Sequence, residues 1–255
     1  MTATPTASRS PSPTPSSVPS TPLPPDSGWL DLAPGLEQRT LRVTNPAGDI
    51  IETMTLLRIE PANYQFDVLY TPGKARTVQQ WAADSGAAVT LNAGYYTPEY
   101  IATGLVVVDG ASHGQSYSDF GGMLAVRQDG VQVRGLSDLP YDPNEALMAA
   151  VQSFPMLIWP GGVLGFPEED GVPARRTVIG QDRAGRIVIA VCPTGGFTLH
   201  ELAIYLLQSD LDLAAALNLD GGTSSGLSLS FGAERIEIPS IVPVPAVITI
   251  RPKTI

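Results

Sequence analysis

Glycine and proline interrupt this chain so often that no long uninterrupted element can form. There are 25 glycines and 24 prolines in 255 residues. Each proline removes a backbone donor, and each glycine loosens an element interior. Charged residues make up only 16%, which together with the interruptions favours a turn-rich, β-rich fold over a helical bundle. The expectation is one α+β domain, a mixed, twisted sheet with few helices.

Strand patterns recur between the turns. Thr53 to Ile59 and Tyr64 to Tyr70 are rich in β-branched and aromatic residues, with Pro61-Ala62-Asn63 as the expected hairpin loop. Further strands are expected at Ala87 to Leu91, Gly104 to Val108, Met123 to Arg127, Val131 to Arg134, Ala150 to Phe154, Thr177 to Gln181 and Ile187 to Cys192, with Asp129-Gly130 as a hairpin turn. Ala246 to Ile250 is expected to close the sheet. Thr77 to Ala83 reads as a short helix. The strong helix is Leu199 to Gln208, where Leu202, Ala203, Leu206 and Leu207 repeat at core-facing spacing. Thr198 and Glu201 in front of it form a Thr-x-x-Glu capping box.

Residues 1–28 are dominated by Pro, Ser, Thr and Ala with no apolar periodicity, the composition of a disordered tether, and residues 29–255 form the domain. A tether of this kind suits a protein standing off a cell surface, so an extracellular or surface-tethered location is expected, although no signal-peptide core follows Met1. No apolar run is long enough to span a bilayer. The net charge of −10 argues against nonspecific binding to nucleic acid or anionic membranes. Cys192, the single cysteine, has no intramolecular disulfide partner and reads as a core thiol.

Chemistry concentrates at Leu219-Asp220-Gly221-Gly222, between the apolar run Ala214 to Leu217 and the hydroxyl-rich Thr223-Ser224-Ser225-Gly226. This places one carboxylate at a strand mouth, followed by glycines able to expose backbone N–H groups. Gly222 to Gly226 formally matches Gly-x-Ser-x-Gly, but a nucleophile elbow needs a following helix and a later histidine. Here a strand-like run follows, and His113 and His200 both precede it. Asn92-Ala93-Gly94-Tyr95-Tyr96 brings an amide and two aromatics to another strand end. Arg175-Arg176-Thr177 opens a strand in a chain poor in basic residues, and an arginine fork binds phosphate through charge-assisted hydrogen bonds. No paired His or Cys spacing for zinc and no phosphate loop with its lysine is present. A divalent cation held by oxygens that include Asp220 stays open.

In order and spacing these stretches resemble the phosphodiester glycosidase family. The resemblance also takes in Gly104, Asp109-Gly110, Gln152 to Leu157, Arg176 to Gly180 and Thr198 to Ala203, within about Asn45 to Arg251. It implies a hydrolase of sugar-1-phosphodiesters with no required cofactor, and cell-wall or exopolysaccharide glycans are the expected substrates. Asp220 and Glu201 are the candidate catalytic residues; Asn92, Gly94, Tyr95, Arg176, Gly221, Gly222, Thr223, Ser224 and Ser225 are the candidate substrate contacts. Two departures stand out. Relatives usually carry Asn-Gly-Gly-Phe-Phe and Asp-Gly-Gly-Gly-Ser, and some carry Asp-Gly where this chain has Pro193-Thr194-Gly195-Gly196, which removes a carboxylate. Two other readings fit the residues: a non-catalytic module binding phosphorylated glycans, and an oxygen-ligated metallophosphodiesterase.

Overall fold

The computed structural model describes residues 24–253. The chain opens with β1 (Leu30–Ala33), β2 (Leu36–Thr44), β3 (Ile50–Ile59) and β4 (Tyr64–Tyr70), then α1 (Val78–Ser85) and β5 (Val89–Asn92). Next come β6 (Val106–Val108), β7 (Ala111–His113), β8 (Gly122–Arg127), β9 (Gly130–Gly135), β10 (Ala149–Ser153), β11 (Met156–Trp159) and β12 (Val163–Leu164). β13 (Ala174–Asp182), β14 (Ile187–Phe197), α2 (Leu199–Gln208) and β15 (Leu213–Asn218) precede a 3-10 turn at Gly222–Ser224. β16 (Leu227–Phe231), β17 (Glu234–Ile238) and β18 (Ala246–Pro252) follow.

The domain is β-rich with two α-helices among the described residues, as the glycine and proline content predicts. Instead of one mixed sheet there are three sheets, built from antiparallel pairs. One has the order β1-β2-β3-β14-β13-β15-β11-β12, the second β7-β6-β10-β8-β9, and the third β17-β16-β5-β18-β4. Their inner faces meet in one core. Leu57, Ile59 and Ile189 come from the first sheet, Val106, Leu124 and Val151 from the second, and Phe66, Leu91 and Ile248 from the third. On the outer face of the first sheet α2 packs Leu202, Ala203 and Leu206 against Met54, Leu56, Val188 and Ala190. α1 covers the third sheet with Val78 and Trp81 against Val244 and Val247. Burial of apolar side chains on both faces of the first sheet makes β14 read as an unbroken apolar run.

Three expectations are corrected. Pro61-Ala62-Asn63 does not close a hairpin: β3 pairs with β2 and β14, whereas β4 pairs with β18. The turn, in which Asn63 N–H donates to the Glu60 carbonyl, passes the chain from one sheet to another. β18 is interior to its sheet, between β5 and β4. The β8–β9 hairpin forms, but its register pairs Arg127 with Gly130, so Gln128 and Asp129 make the turn.

Of the expected tether, residues 1–23 lie outside the described residues. Residues 24–28 run beside β2, where Arg42 N–H donates to the Pro25 carbonyl at 2.7 Å. Arg39, only 7% exposed, joins Asp26 at 2.7 Å and Asp210 at 2.9 Å. A buried guanidinium paired on both sides escapes most of its desolvation cost, so contact with the domain begins ahead of the expected boundary.

Candidate functional site

The ends of β5, β13 and β15 meet at the turn that leads into β16. Asn92, the last residue of β5, is fully buried. Its Nδ2 donates to the Asp220 carbonyl at 2.7 Å and to the Ala93 carbonyl at 3.3 Å. Its Oδ1 accepts from Thr177 Oγ1 at 2.9 Å and from Gly226 N–H at 3.0 Å. Two donors and two acceptor positions are all the side chain has, so Asn92 pins three elements together instead of offering an amide to a sugar. Gly94 is likewise architectural, because a Cβ there would collide with the Gln152 carbonyl.

Asp220 leaves β15 at the lip of this cluster. Its backbone N–H donates to the Ala93 carbonyl, and its Oδ1 accepts from Gly221 N–H at 2.9 Å. Burial pushes its carboxyl up from 3.8 to about 6, against the opposing pull of the Ser224 hydroxyl and the Gly221 N–H. Few donors in a low-dielectric setting disfavour the anion. In the following turn Ser224 and Ser225 N–H donate back to Gly221 and Gly222. Among the described residues nothing accepts from the N–H groups of Gly222 and Thr223. Thr223 is exposed, Ser224 Oγ lies 3.2 Å from the Tyr96 hydroxyl, and Ser225 is fully enclosed.

Arg176 stands beside that turn: a Cβ at Gly221 would lie 3.9 Å from its Nη1. The side chain is 9% exposed, its Nη2 donates to the Val172 carbonyl at 2.6 Å, and Asp170 lies 3.8 Å away. Its buried Nε has no partner. Arg175 also has a buried Nε without a partner, but its Nη2 is spent on the fold, donating to the Ser225 and Pro239 carbonyls at 2.9 Å. Tyr95 stacks on Phe154 with centroids 4.5 Å apart, and its hydroxyl accepts from Asn218 Nδ2 at 2.9 Å. Burial, with the Asp220 charge adding to it, pushes this phenol up to about 12, so it stays a neutral hydroxyl.

Glu201 does not join this group. It is exposed, its Oε2 accepts from Thr198 N–H at 3.0 Å, and its own N–H donates to Thr198 Oγ1 at 3.1 Å. The carboxylate completes the capping box and is removed from the catalytic candidates.

A carboxylate that the sequence did not reveal sits at the far end of β14. Glu52, on β3, is fully buried and accepts backbone N–H bonds from Thr53, Thr194, Gly195 and Gly196 at 2.9–3.1 Å, with the Thr194 hydroxyl as a fifth donor. It organises the Pro193 to Gly196 segment in which some relatives carry their own acid. No local pattern marks it, since its partners other than Thr53 lie 142–144 residues away.

Among the described residues no three His, Cys, Asp or Glu side chains converge as a metal-binding group. No described helix is long and apolar enough to cross a membrane. A surface cavity of about 400 Å³ between Phe66, Arg127, Val131 and Lys253 includes none of the candidate residues. Asp220 and the Gly221 to Ser225 turn sit at the strand ends, with Arg176 beside Gly221.

Fold and site together define a β-rich domain in which Asp220 and Arg176 flank one glycine turn. The sequence profile described as phosphodiester glycosidase matches residues 85–250, and the chain belongs to that family. Its structure is similar to the zebrafish N-acetylglucosamine-1-phosphodiester alpha-N-acetylglucosaminidase catalytic domain auto-inhibited by its pro-peptide, with a TM-score of 0.67 and 19% identity over 87% of this chain and 85% of that one. It is also similar to a hypothetical protein from Synechocystis, with a TM-score of 0.62 and 16% identity over 91% of this chain and 64% of that one. A search of curated proteins finds no match.

Proposed function

We propose that this protein hydrolyses the glycosidic bond of sugar-1-phosphodiesters. Family membership supports a hydrolase of this type; the observation that carries the specific reading is Arg176, buried with an unpartnered Nε beside the Asp220 turn. In a chain with net charge −10, a buried guanidinium paired only loosely with Asp170, at 3.8 Å, and with its Nε unpartnered fits a site that takes an anion.

In the proposed reaction the bond between the anomeric carbon and the phosphate oxygen breaks. Its electron pair leaves with the phosphate monoester, and water supplies the new hydroxyl on the sugar. A phosphate monoester is a good leaving group at neutral pH, so the main demands are charge stabilisation on it and a base or nucleophile at the anomeric carbon. Arg176 and the free N–H groups of Gly222 and Thr223 take the first role. Asp220 takes the second, for which it must be ionised. With a carboxyl at about 6, it is a stronger base than an ordinary aspartate and still ionised near pH 7.

The substrates we propose are glycans of a cell wall or exopolysaccharide, met outside the cell. The composition of residues 1–28 supports such a location. Product analysis on N-acetylglucosamine-1-phosphate methyl diester tests the chemistry. Free reducing sugar with methyl phosphate is the expected pair; sugar-1-phosphate with methanol would mean P–O cleavage, and binding without turnover would mean a glycan-binding module.

A further inference from the structure

Beyond Tyr95 lies a set of aromatic rings in mutual contact for which the reaction has no use. Tyr95 stacks on Phe154, Phe154 meets Phe120 and Tyr117 edge-on with centroids 5.7 Å away, and Tyr117 stacks on Phe120 at 4.6 Å. Phe120 is 47% exposed. An exposed phenylalanine on a loop gains little from folding, yet this loop is held at several points.

Gln152, 1% exposed, accepts from Tyr117 N–H at 2.9 Å and donates to Ser116 Oγ at 2.7 Å. Thr103 Oγ1 lies 2.7 Å from the Tyr117 hydroxyl and donates to the Tyr95 carbonyl at 3.2 Å. Gly104 forms the bed on which the Tyr117 ring lies, since a Cβ there would come within 2.9 Å of two ring carbons. Gly121, at φ +76°, lets the loop turn back against the Ser153 carbonyl. Gly104 and Gln152 belong to the sequence pattern and take no part in the reaction; their common effect is to fix Tyr117 and Phe120 before any ligand arrives. The amide, hydroxyl and carboxylate residues Gln115, Ser118 and Asp119, all exposed, flank the two rings along the same loop and form its polar rim.

A rigid aromatic face with a hydrogen-bonding rim matches a pyranose. The slightly positive C–H edge of the sugar meets the negative ring face, and its hydroxyls meet the rim. A lipid chain would leave the rim unused. Rings fixed in advance also lower the ordering cost of binding.

We propose that Tyr117 and Phe120 form a subsite for a second pyranose, linked to the one whose glycosidic bond is cleaved at Asp220. This rests on the glycosidase reading and makes the substrate an oligosaccharide or polymer whose terminal sugar carries the phosphodiester.

The test compares the methyl diesters of N-acetylglucosamine-1-phosphate and chitobiose-1-phosphate. The parent protein is expected to favour the disaccharide about tenfold in kcat/KM, the scale of one good stacking contact. Phe120→Ala should bring that ratio near one, while Phe120→Trp, which restores a stacking face, keeps it. A ratio near one in the parent, or one unaltered by Phe120→Ala, overturns the subsite. If neither diester is hydrolysed, the glycosidase reading fails independently, and calorimetric affinities of the same two diesters decide the subsite. Equal affinities for parent and Phe120→Ala overturn it; a disaccharide preference lost only in Phe120→Ala supports it.

Discussion

Glu52, fully buried, and Asp220, half-buried, are both carboxylates withdrawn from water, and they stand in opposite surroundings. The segment around Glu52 turns four backbone N–H groups and a hydroxyl toward the anion. The turn at Asp220 gives its carboxylate one backbone donor and a serine hydroxyl. Burial alone therefore does not mark a reactive group; the supply of donors does. A saturated carboxylate is a structural anchor, and an undersupplied one is held near its point of ionisation.

The largest expected effect is at Asp220. Asp220→Asn should lower hydrolysis by about a thousandfold or more, near 4 kcal/mol of barrier, without lowering the thermal midpoint. The sign follows from the raised carboxyl. A folded-state value of about 6 against an ordinary 3.8 means the folded protein holds the proton more tightly. Stability then falls as pH rises from about 4 to about 6, and at pH 7 the anion costs up to about 3 kcal/mol. The amide relieves that cost, so a variant that simply unfolds would break the comparison by making Asp220 an anchor like Glu52.

Glu52→Ala probes the other half. It strands several buried donors, and urea melts should show a loss of about 3 kcal/mol or more. An unchanged melt with activity gone would place Glu52 with the chemistry instead.

A pH profile sharpens the contrast. In the proposed reaction Asp220 acts as an anion, so log(kcat/KM) should fall on the acid side with a midpoint near 6, losing about tenfold per pH unit well below it. In Asp220→Glu, if activity survives, that midpoint should move; a profile fixed in place would assign the ionisation elsewhere. Arg176→Lys keeps the charge and loses the fork, and kcat/KM should drop by at least about tenfold. Parent-like kinetics would remove Arg176 from the phosphate site. The smallest effect belongs to Glu201→Gln, since glutamine serves a capping box as well as glutamate does. Activity should stay near the parent's and stability within about 0.5 kcal/mol.

What the sequence discloses follows the range of the interaction. α2 is legible to the residue, from Leu199 to Gln208, because its apolar spacing and its Thr198–Glu201 cap operate within a few positions. Tyr64–Tyr70 is legible for the same reason, through local alternation. Asp220 stands out because its glycines follow it directly. Glu52 carries no such mark, and Asn92 shows itself as polar at a strand end without disclosing that its amide is fully consumed. The exchange of sheets at Pro61 to Asn63 is equally silent, since a turn sequence fixes the bend and leaves the partner strands to distant residues.

The partners of Asn92 lie 85, 128 and 134 residues further along the chain. Contacts of such span close late, after the entropy of large loops has been lost, and antiparallel architectures of this type fold slowly. The site thus cannot assemble in a half-made chain. Regain of hydrolysis after dilution from denaturant should lag behind the return of α2 helicity, making enzyme activity a clock for the last long-range closure.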